Sequence, residues 1–324
     1  MKVSIHKEDW QLKQPFKITG HVWTTVPCIV VELSENGFSG SSEAQGVFYL
    51  NETEHSMFTQ VQAVIPEIEG GIDHQKLQTL LPAGGARNAL DCALWDLRCK
   101  QNQQSIWQQT GITEGDVQTV FTIGLEDTPQ AMADKAKLAD TPLLKVKLNA
   151  DQPIERLHAI QNARPDATLV VDANQGWDIA LLEQVIKAFE NSSLAMIEQP
   201  LPRGADADLV GFNSPITLAA DESCLHCDEF EQIADRYQMI NIKLDKTGGL
   251  TEALKLVQLA KANGMQLMVG NMTGTSLAMA PAFVIAQLCD FVDIDGPLLN
   301  LYDRPNGLKY NQGTVSGLKQ SFWG

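Results

Sequence analysis

The sequence predicts an α/β protein in which a parallel barrel of alternating strands and helices follows a smaller α+β domain. From about residue 117, short β-branched or leucine-rich runs alternate with amphipathic stretches rich in Ala, Leu and Lys, which is typical of repeated βα units. An ionisable residue ends most of these runs, where a parallel barrel carries its functional groups. The first 115 residues have a different pattern, with a strand pair followed by helical segments.

Eight runs have the composition of buried strands, and a helical stretch follows each run except the last. Eight such units favour a (β/α)₈ barrel or a close variant of it. The predicted strands cover residues 118–123, 143–148, 168–172, 194–198, 217–221, 239–244, 266–270 and 291–294.

The N-terminal region predicts the α+β domain. Residues 3–5 and 29–33 alternate as a strand pair, glycines near Gly37 and Gly40 indicate a turn, and residues 84–97 have a strong helical pattern. The apolar face of this helix carries Leu90, Leu94 and Leu97.

The chain is expected to form two domains. A capping domain covers residues 1–115, and the barrel covers residues 116–299. Residues 300–324 lack a further βα unit, so we expect them to return to the first domain and complete it.

Composition limits the function classes. The chain has 324 residues, 44% of them hydrophobic, and a net charge of −16, which argues against nucleic acid as a partner. No run approaches the roughly 18 apolar residues of a membrane helix. Six scattered cysteines and an N-terminus without an apolar signal core predict a cytoplasmic protein. The sequence is compatible with a homo-oligomer.

Charged side chains at the strand ends form the candidate site. They are Lys145, Lys147, Asp172, Glu198, Asp221, Lys243 and Asp293. Residues two apart on a strand share a face, so Lys145 points inward with Lys147, and Asp295 shares a face with Asp293. Ion pairs across a barrel mouth could explain some of these residues, but they do not explain the regularity of the whole series.

Counting strands predicts the geometry of this site. The lysines of the second strand and Lys243 on the sixth strand face each other across an eight-stranded ring. Asp172, Glu198 and Asp221 fill one side between them, and three adjacent carboxylates repel unless a cation joins them. Oxygen ligands of this kind suit Mg²⁺. The aspartates of the eighth strand should lie opposite the metal, at the far end of the substrate.

Two amines on opposite sides of a metal-bound carboxylate predict the transfer of an α-proton. Removing this proton creates an enediolate, whose charge a bound cation stabilises. One lysine could remove the proton while the other returns a proton to the opposite face, which inverts the α-carbon. We expect a depressed pKa for each lysine, because the metal and the neighbouring lysines disfavour further positive charge.

Five local motifs strengthen this interpretation: Lys-Val-Lys, Asp-Ala-Asn, Glu-Gln-Pro, Ala-Asp-Glu-Ser and Lys-Leu-Asp-Lys-Thr-Gly-Gly. With them, the whole chain resembles the enolase superfamily, in the muconate-lactonizing branch, and most closely the dipeptide epimerases. The resemblance implies a modified TIM barrel, (β/α)₇β, with an α+β capping domain. It also implies one Mg²⁺ per active site and a dipeptide substrate that is inverted at its C-terminal residue.

The resemblance assigns roles to individual residues. It makes Lys147 and Lys243 the acid/base catalysts and Lys145 an electrostatic assistant, with Asp172, Glu198 and Asp221 as the metal ligands. Asp293 and Asp295, in Asp-Ile-Asp-Gly-Pro, match the pair that binds the substrate α-ammonium group. Asn174, in the Asp-Ala-Asn motif, and Trp23 are further candidates for substrate binding.

The capping region bears on substrate choice. Glutamate-preferring members of the family carry a basic residue in the first capping loop, but residues 19–27 contain no Arg or Lys. Trp23 could form the wall of an apolar pocket, to which residues 47–52 add aromatic surface, and His21 is expected to be a surface or cap residue. We therefore predict a preference for apolar or cationic residues at the inverted position, without strict Ala-Glu specificity.

Other activities remain open. Within the same branch they are N-acylamino acid racemisation, o-succinylbenzoate synthesis and muconate cycloisomerisation. The aspartate pair favours a cationic substrate end and so favours a dipeptide. Outside catalysis, a binding protein on a retained barrel would be expected to lack a metal ligand or a base, and none is missing.

Overall fold

A three-stranded antiparallel sheet begins the chain in the computed structural model, which describes residues 1–324. Its strands, in spatial and chain order, are β1 (Lys2–Ile18), β2 (His21–Glu35) and β3 (Phe38–Ala44). Val3 pairs with Leu33, which confirms the predicted strand pair. Strand β3 was not predicted, because its Gly- and Ser-rich sequence resembles a turn.

Five helices follow the sheet; most of them cover one of its faces, and the last packs against the barrel core. They are α1 (Glu54–Ala63), α2 (Ile65–Glu69), α3 (His74–Leu80), α4 (Gly85–Asn102) and α5 (Ile106–Thr110). Helix α4 confirms the predicted helix, and the three leucines of its apolar face are buried against the sheet. Gly40 lies in β3 and not in the predicted turn. A Cβ at this position would lie 2.1 Å from the backbone nitrogen of Leu97, so the glycine permits close packing of α4.

The barrel follows a short strand, β4 (Val117–Gln118). Its eight parallel strands, each hydrogen-bonded to the next, are β5 (Phe121–Ile123), β6 (Leu143–Lys147), β7 (Thr168–Asp172), β8 (Leu194–Glu198), β9 (Thr217–Ala220), β10 (Met239–Ile242), β11 (Gln266–Val269) and β12 (Phe291–Val292). The N–H of Val120 donates to the carbonyl of Val292 at 2.9 Å and so joins the two ends of the sheet. The predicted capped barrel is confirmed.

Helices connect most of these strands. They are α6 (Pro129–Leu138), α7 (Pro153–Ala163), α8 (Ile179–Phe189), α9 (Phe230–Ile233), α10 (Leu244–Thr247), α11 (Leu250–Ala262), α12 (Ser276–Ala286) and α13 (Gly296–Leu299). The prediction of a helical stretch after every strand but the last is wrong at two places. Only a 3₁₀ turn, Ala207–Leu209, follows β8, because the segment is rich in Pro, Gly and Asp. The last strand, in contrast, is followed by α13.

The C-terminal segment forms a hairpin of β13 (Lys309–Asn311) and β14 (Thr314–Ser316), and β14 pairs with β4. The predicted first strand is therefore divided between this small sheet and the barrel. The same segment also contacts the N-terminal sheet, where Asn300 bridges to Leu12 and Arg304 forms an ion pair of 2.6 Å with Glu8. The domain boundary near residue 115 stays a prediction.

Two layers of apolar packing position the strand ends. The larger core lies between the strands and the surrounding helices. A small cluster fills the barrel interior, formed by Val170, Met196, Ala219, Met239 and Met268. Charged side chains that point inward from the strand ends therefore lie in the barrel mouth. None of the helices has the length and apolar character needed to cross a bilayer.

Candidate active site

Three carboxylates end consecutive barrel strands or follow them directly. Lys147, Asp172 and Glu198 are neighbours in the register of β6, β7 and β8, and Asp221 follows β9. Carboxylate oxygens of Asp172, Glu198 and Asp221 lie within 4.8 Å of one another, and all three residues are fully buried. Hard, anionic oxygen donors at this spacing fit a divalent cation such as Mg²⁺.

Two lysines contact the carboxylate row from different strands. Lys147 Nζ lies 2.5 Å from Asp172 Oδ2, and Lys243 Nζ lies 2.5 Å from Asp221 Oδ2. Lys243 Nζ is also 3.9 Å from Glu198 Oε1. Strand counting placed one amine on the second barrel strand and the other on the sixth, and each contacts an outer member of the row.

Lys145 spans the barrel interior beneath these groups. Its Nζ lies 2.7 Å from Glu198 Oε2, 2.7 Å from Asp293 Oδ2 and 3.3 Å from Asp172 Oδ2. Asp295, the other predicted substrate aspartate, is buried and accepts a hydrogen bond of 2.7 Å from the backbone N–H of Thr122. The structure thus joins Asp293 to the carboxylate row through one ammonium group.

The protein's own charges set the pKa values of this cluster. Burial lowers the pKa of Lys145, but Asp293, Glu198 and Asp172 outweigh burial and raise it well above its ordinary value. The pKa of Lys243 is also raised, because Asp221 and Glu198 outweigh its burial. The expectation of depressed pKa values assumed a bound cation beside the lysines and stays a prediction, whereas the protein's own carboxylates act on these two lysines in the opposite direction.

The carboxylates of the row differ from one another in their pKa values. Burial raises the pKa of Glu198 to about 7, and the charge of Asp172 adds to this effect. For Asp172, burial is outweighed by Lys147 and Lys145, which lower its pKa to about 2. The row therefore combines one strongly acidic carboxylate with one that is readily protonated.

Two further residues support the row and were not assigned roles from the sequence. Lys246 is completely buried and donates to Asp221 Oδ1 at 2.6 Å and to the carbonyl of Asn241 at 2.8 Å. Asn241 Nδ2 donates to Glu198 Oε1 at 2.7 Å. Both had a signal in the sequence: Asn241 stands two residues before Lys243 on one strand face, and Lys246 belongs to the Lys-Leu-Asp-Lys-Thr-Gly-Gly motif.

A cavity of about 380 Å³ lies between the barrel mouth and the N-terminal sheet. Lys147, Lys243, Asn174 and Trp23 line it, as do aromatic residues of the capping region. Its size suits a small ligand. The other six predicted site residues are buried beside this cavity and do not line it: Lys145, Asp172, Glu198, Asp221, Asp293 and Asp295.

The expected first capping loop, residues 19–27, is mostly strand. It forms the tip of the hairpin between β1 and β2, where Ile18 pairs with His21. The His21 ring packs on Trp23 with 4.0 Å between centroids, and Trp23 meets Phe48 edge-on at 4.9 Å. His21 is an exposed residue of the capping hairpin, as expected, and it also lines the cavity.

A parallel barrel with an α+β cap and three carboxylates between two lysines is the architecture of enolase-like enzymes. Sequence comparison agrees: residues 130–311 match the family described as "Enolase C-terminal domain-like", and residues 1–111 match "Mandelate racemase / muconate lactonizing enzyme, N-terminal domain". The chain belongs to the mandelate racemase / muconate lactonizing enzyme family of the enolase superfamily. The resemblance stated from the motifs is thereby confirmed.

Two relatives are similar over nearly the whole chain. The L-Ala-D/L-Glu epimerase of Escherichia coli K12 is 41% identical, over 97% of this chain and 98% of its own. An N-acetyl-D-glutamate racemase of a Pseudoalteromonas species is 40% identical, over 91% of this chain and 95% of its own.

Solved structures share the fold. An enolase family member from Agrobacterium tumefaciens, with homology to dipeptide epimerases and with bound sodium and L-Ala-L-Glu, superposes with a TM-score of 0.96 at 37% identity, covering 99% of both chains. A dipeptide epimerase from Enterococcus faecalis, complexed with Mg and L-Leu-L-Tyr, has a TM-score of 0.88 at 26% identity, covering 97% of this chain and 96% of its own.

Proposed function

We propose that this chain is a Mg²⁺-dependent dipeptide epimerase, which inverts the α-carbon of the C-terminal residue by two-base proton transfer. The observation that carries the proposal is the arrangement of Lys147 and Lys243. Both line one cavity, and each contacts an outer carboxylate of a buried row that suits a divalent cation. The names of similar proteins support the same reaction class.

Asp172, Glu198 and Asp221 would hold the cation through their carboxylate oxygens. When bound, Mg²⁺ supplies positive charge that offsets the carboxylates around the lysines and the negative charge that develops on the substrate. Lys246 and Asn241 orient this row, because each donates a hydrogen bond to one of its members.

In this proposal the two lysines exchange protons at one carbon. Lys147 Nζ and Lys243 Nζ approach the α-carbon from opposite faces, so that one accepts its proton and the other donates a proton. Lys145 does not line the cavity and is bound by three carboxylates, so it provides fixed positive charge beside the substrate carboxylate. The result is inversion without net change in composition.

The remaining predicted site residues are assigned to contacts with the rest of the substrate. Asp293 and Asp295 would attract the α-ammonium group of a dipeptide from the eighth strand. Asn174 and Trp23 line the cavity and would contact the substrate from the barrel and the capping hairpin, respectively.

N-acylamino acid racemisation is the second candidate. Asp293 already pairs with Lys145 at 2.7 Å, so its charge is neutralised without a substrate ammonium. The relative named N-acetyl-D-glutamate racemase is nearly as similar as the epimerase relative. Both candidates require the same proton transfer and differ in the group attached to the substrate nitrogen.

Hydrogen–deuterium exchange tests the proposal. The protein is incubated in D₂O with Mg²⁺ and matched panels of L-Ala dipeptides and N-acetyl amino acids, and the α-carbon is examined by mass spectrometry. We expect deuterium in dipeptides, with a smaller rate for the N-acetyl series. Faster exchange of the N-acetyl series favours the second candidate. No exchange in either panel contradicts both candidates.

Single-base variants test the roles of the lysines. Lys147→Ala and Lys243→Ala should each lower the rate of epimerisation about 100-fold or more, because general-base catalysis contributes about this factor. Each variant should still exchange the α-proton of one epimer, and the two variants should retain opposite epimers. Lys255→Ala, at an exposed side chain of α11, is the control. Equal loss of exchange for both epimers in both variants contradicts the two-base scheme.

We expect a cytoplasmic enzyme that serves the metabolism of cell-wall peptides, although general peptide catabolism would supply the same class of substrate. The acidic composition and the scattered cysteines support this location. A homo-oligomer is compatible with the proposal, because all proposed catalytic residues come from one chain.

A further inference from the structure

A buried glutamine joins the segments that carry the proposed metal ligands. Gln199, in the Glu-Gln-Pro motif, directly follows Glu198 and is completely buried. Its backbone N–H donates to the carbonyl of Ala219, in β9, at 2.8 Å. Its own carbonyl accepts from the N–H of Gln175, in the segment after β7, also at 2.8 Å. The backbone of Gln199 thus contacts the segments of all three members of the carboxylate row.

The side chain of Gln199 adds contacts that reach one of these ligands directly. Its Oε1 accepts hydrogen bonds from the backbone N–H groups of Asp221 and Ser223, both at 3.0 Å. Its Nε2 donates to the carbonyl of Leu201 and to Ser223 Oγ, both at 2.8 Å. A backbone N–H only donates and a carbonyl only accepts, so these partners permit a single orientation of the amide.

A buried carboxylate fixes the hydroxyl groups behind this amide. Asp206 Oδ2 accepts from Ser223 Oγ at 2.6 Å and from the Tyr237 hydroxyl at 2.9 Å. The Tyr237 hydroxyl in turn accepts from Gln199 Nε2 at 3.1 Å. Arg236 pairs with Asp206 Oδ1 at 2.7 Å and balances its charge. Asp206 belongs to the connection after β8 that contains no α-helix, so this irregular segment supplies the support for Gln199.

The backbone of Gln199 has a conformation that its surroundings must maintain. Its φ of +37° is positive, which a residue with a Cβ adopts rarely and at a cost in free energy. Gln175, which donates to its carbonyl, also has a positive φ, of +65°. Such a conformation persists only where surrounding contacts hold it, and for Gln199 they include the four hydrogen bonds of its amide to Asp221, Ser223 and Leu201.

We propose that Gln199 sets the spacing of the metal ligands and makes the site selective for Mg²⁺ over larger divalent cations. The inference rests on the proposed function, because it concerns the cation of that site. Mg²⁺ requires a nearly ideal octahedron of oxygen atoms with short bonds, whereas Ca²⁺ accepts longer and more variable bonds. Ligands held at a fixed separation therefore favour the smaller ion. Gln199 is a positioning residue, since it acts through the backbone of Asp221 and not on the cation.

The ratio of two dissociation constants separates positioning from a general contribution of Gln199 to stability. A loss of stability lowers the fraction of folded protein, but it does not change the relative affinity of the folded protein for two cations. A change in ligand spacing does change this relative affinity, because Mg²⁺ tolerates displaced ligands less well than Ca²⁺ does. The Ca²⁺ dissociation constant divided by the Mg²⁺ dissociation constant is therefore the decisive quantity.

Calorimetric titration with MgCl₂ and with CaCl₂ measures this ratio on the protein without substrate, at a temperature well below Tm. Gln199→Met keeps the length of the side chain but removes both the acceptor and the donor. We expect its Mg²⁺ dissociation constant to rise about 10- to 100-fold, the usual cost of losing a residue that orients metal ligands. The Ca²⁺ dissociation constant should rise less than about threefold, so the ratio falls.

Two further variants complete the test. Ser223→Ala keeps the N–H that donates to Gln199 and removes only the hydroxyl, so the ratio should fall about threefold, as for the loss of one hydrogen bond. This variant decides the question if Gln199→Met does not fold. Gln101→Met is the control, because it removes a half-buried amide of α4 that donates to Glu35 Oε2 at 2.9 Å in the N-terminal region. Both dissociation constants should be unchanged in this control.

Failure of this inference is distinguishable from failure of the proposed function. An unchanged ratio in folded Gln199→Met, including an equal rise of both dissociation constants, contradicts the role of Gln199 alone. An unchanged ratio in Ser223→Ala contradicts it as well. Absence of cation binding by the unsubstituted protein contradicts the metal site of the proposed function and the inference with it.

Discussion

The ammonium group of Lys145 lies 2.7 Å from Asp293 Oδ2 and 2.7 Å from Glu198 Oε2. One buried side chain therefore links the aspartate of the eighth strand to the carboxylate row on the opposite side of the barrel. The charge of Asp293, which would face the amino end of the substrate, is thereby coupled to the charge of the proposed metal ligands. A change in one of these charges should alter the electrostatic environment of the other.

Asp293→Asn should separate the two candidate reactions. The amide keeps the shape of the side chain but removes the charge that would hold a substrate ammonium. Truncating one partner of a buried charge pair costs about 2–5 kcal/mol, so kcat/KM for dipeptides should fall at least about 30-fold. For N-acetyl amino acids, which lack the ammonium group, kcat/KM should fall much less.

Steady-state kinetics with both substrate series measures this difference. Asp127→Asn is the control, because this carboxylate is almost fully exposed, with a side-chain exposure of 92%. An equal loss for both series would mean that Asp293 acts only through Lys145.

Lys246→Met should destabilise the protein. The buried ammonium of Lys246 binds both a carboxylate oxygen and the carbonyl oxygen of Asp221, at 2.6 and 2.5 Å, and the carbonyl of Asn241 at 2.8 Å. Methionine fills the space but removes the ammonium donor from these acceptors and leaves the buried Asp221 Oδ1 without its partner, at a cost of about 3–5 kcal/mol in the free energy of unfolding.

Urea denaturation at constant Mg²⁺ measures the loss for Lys246→Met. The matched control is Lys255→Met, whose side chain is 54% exposed and should change stability by less than about 0.5 kcal/mol. A loss below about 1 kcal/mol for Lys246→Met would contradict a supporting role for this lysine.

Asp245→Asn should reduce the pH dependence of stability. Asp245 lies in α10 and accepts hydrogen bonds from the capping domain, from Gln45 N–H at 3.1 Å and Asn88 Nδ2 at 2.9 Å. Burial raises its pKa to about 7, whereas an unfolded aspartate has a pKa of about 3.9. Between these values the folded state binds more protons than the unfolded state, so the contribution of Asp245 to stability falls as pH rises.

The slope from this one group is at most about 1.4 kcal/mol per pH unit, and it ends above about pH 7. Thermal unfolding from pH 5 to pH 8 should show Asp245→Asn gaining stability relative to the unsubstituted protein as pH rises. Asp127→Asn should follow the unsubstituted protein throughout. A constant difference across this range would contradict the raised pKa.

Local sequence predicted the barrel well, because its signals repeat. Each strand is an apolar run, and the ionisable residue that ends most of these runs marks the barrel mouth. Strand β3 escaped prediction because Gly40 and its serine neighbours have turn composition; only the packing of α4 on Gly40 explains a glycine there. The sequence predicts a helix after β8 only if the βα repeat continues there. The segment lacks helix-forming residues, and the connection contains only a short 3₁₀ turn.

Contacts between distant parts of the chain were harder to predict. Strand counting brought Lys147 and Lys243 to one site, because a ring of eight strands fixes which strands oppose each other. It did not predict that Lys145 pairs with Asp293, or that His21 turns its ring into the cavity. These depend on side-chain length and on the path of the capping hairpin, which no local pattern records.

The sequence by itself determined the number of barrel strands, the type and order of the charged residues at their ends, and the chemistry that such residues favour. Tertiary structure alone decided which of these charges touch, and the carboxylates that it places against Lys145 and Lys243 raise the pKa of both lysines. The physical reason is that strand formation depends on local apolar periodicity, whereas the electrostatics of a buried site depends on distances of a few ångströms between residues far apart in the chain.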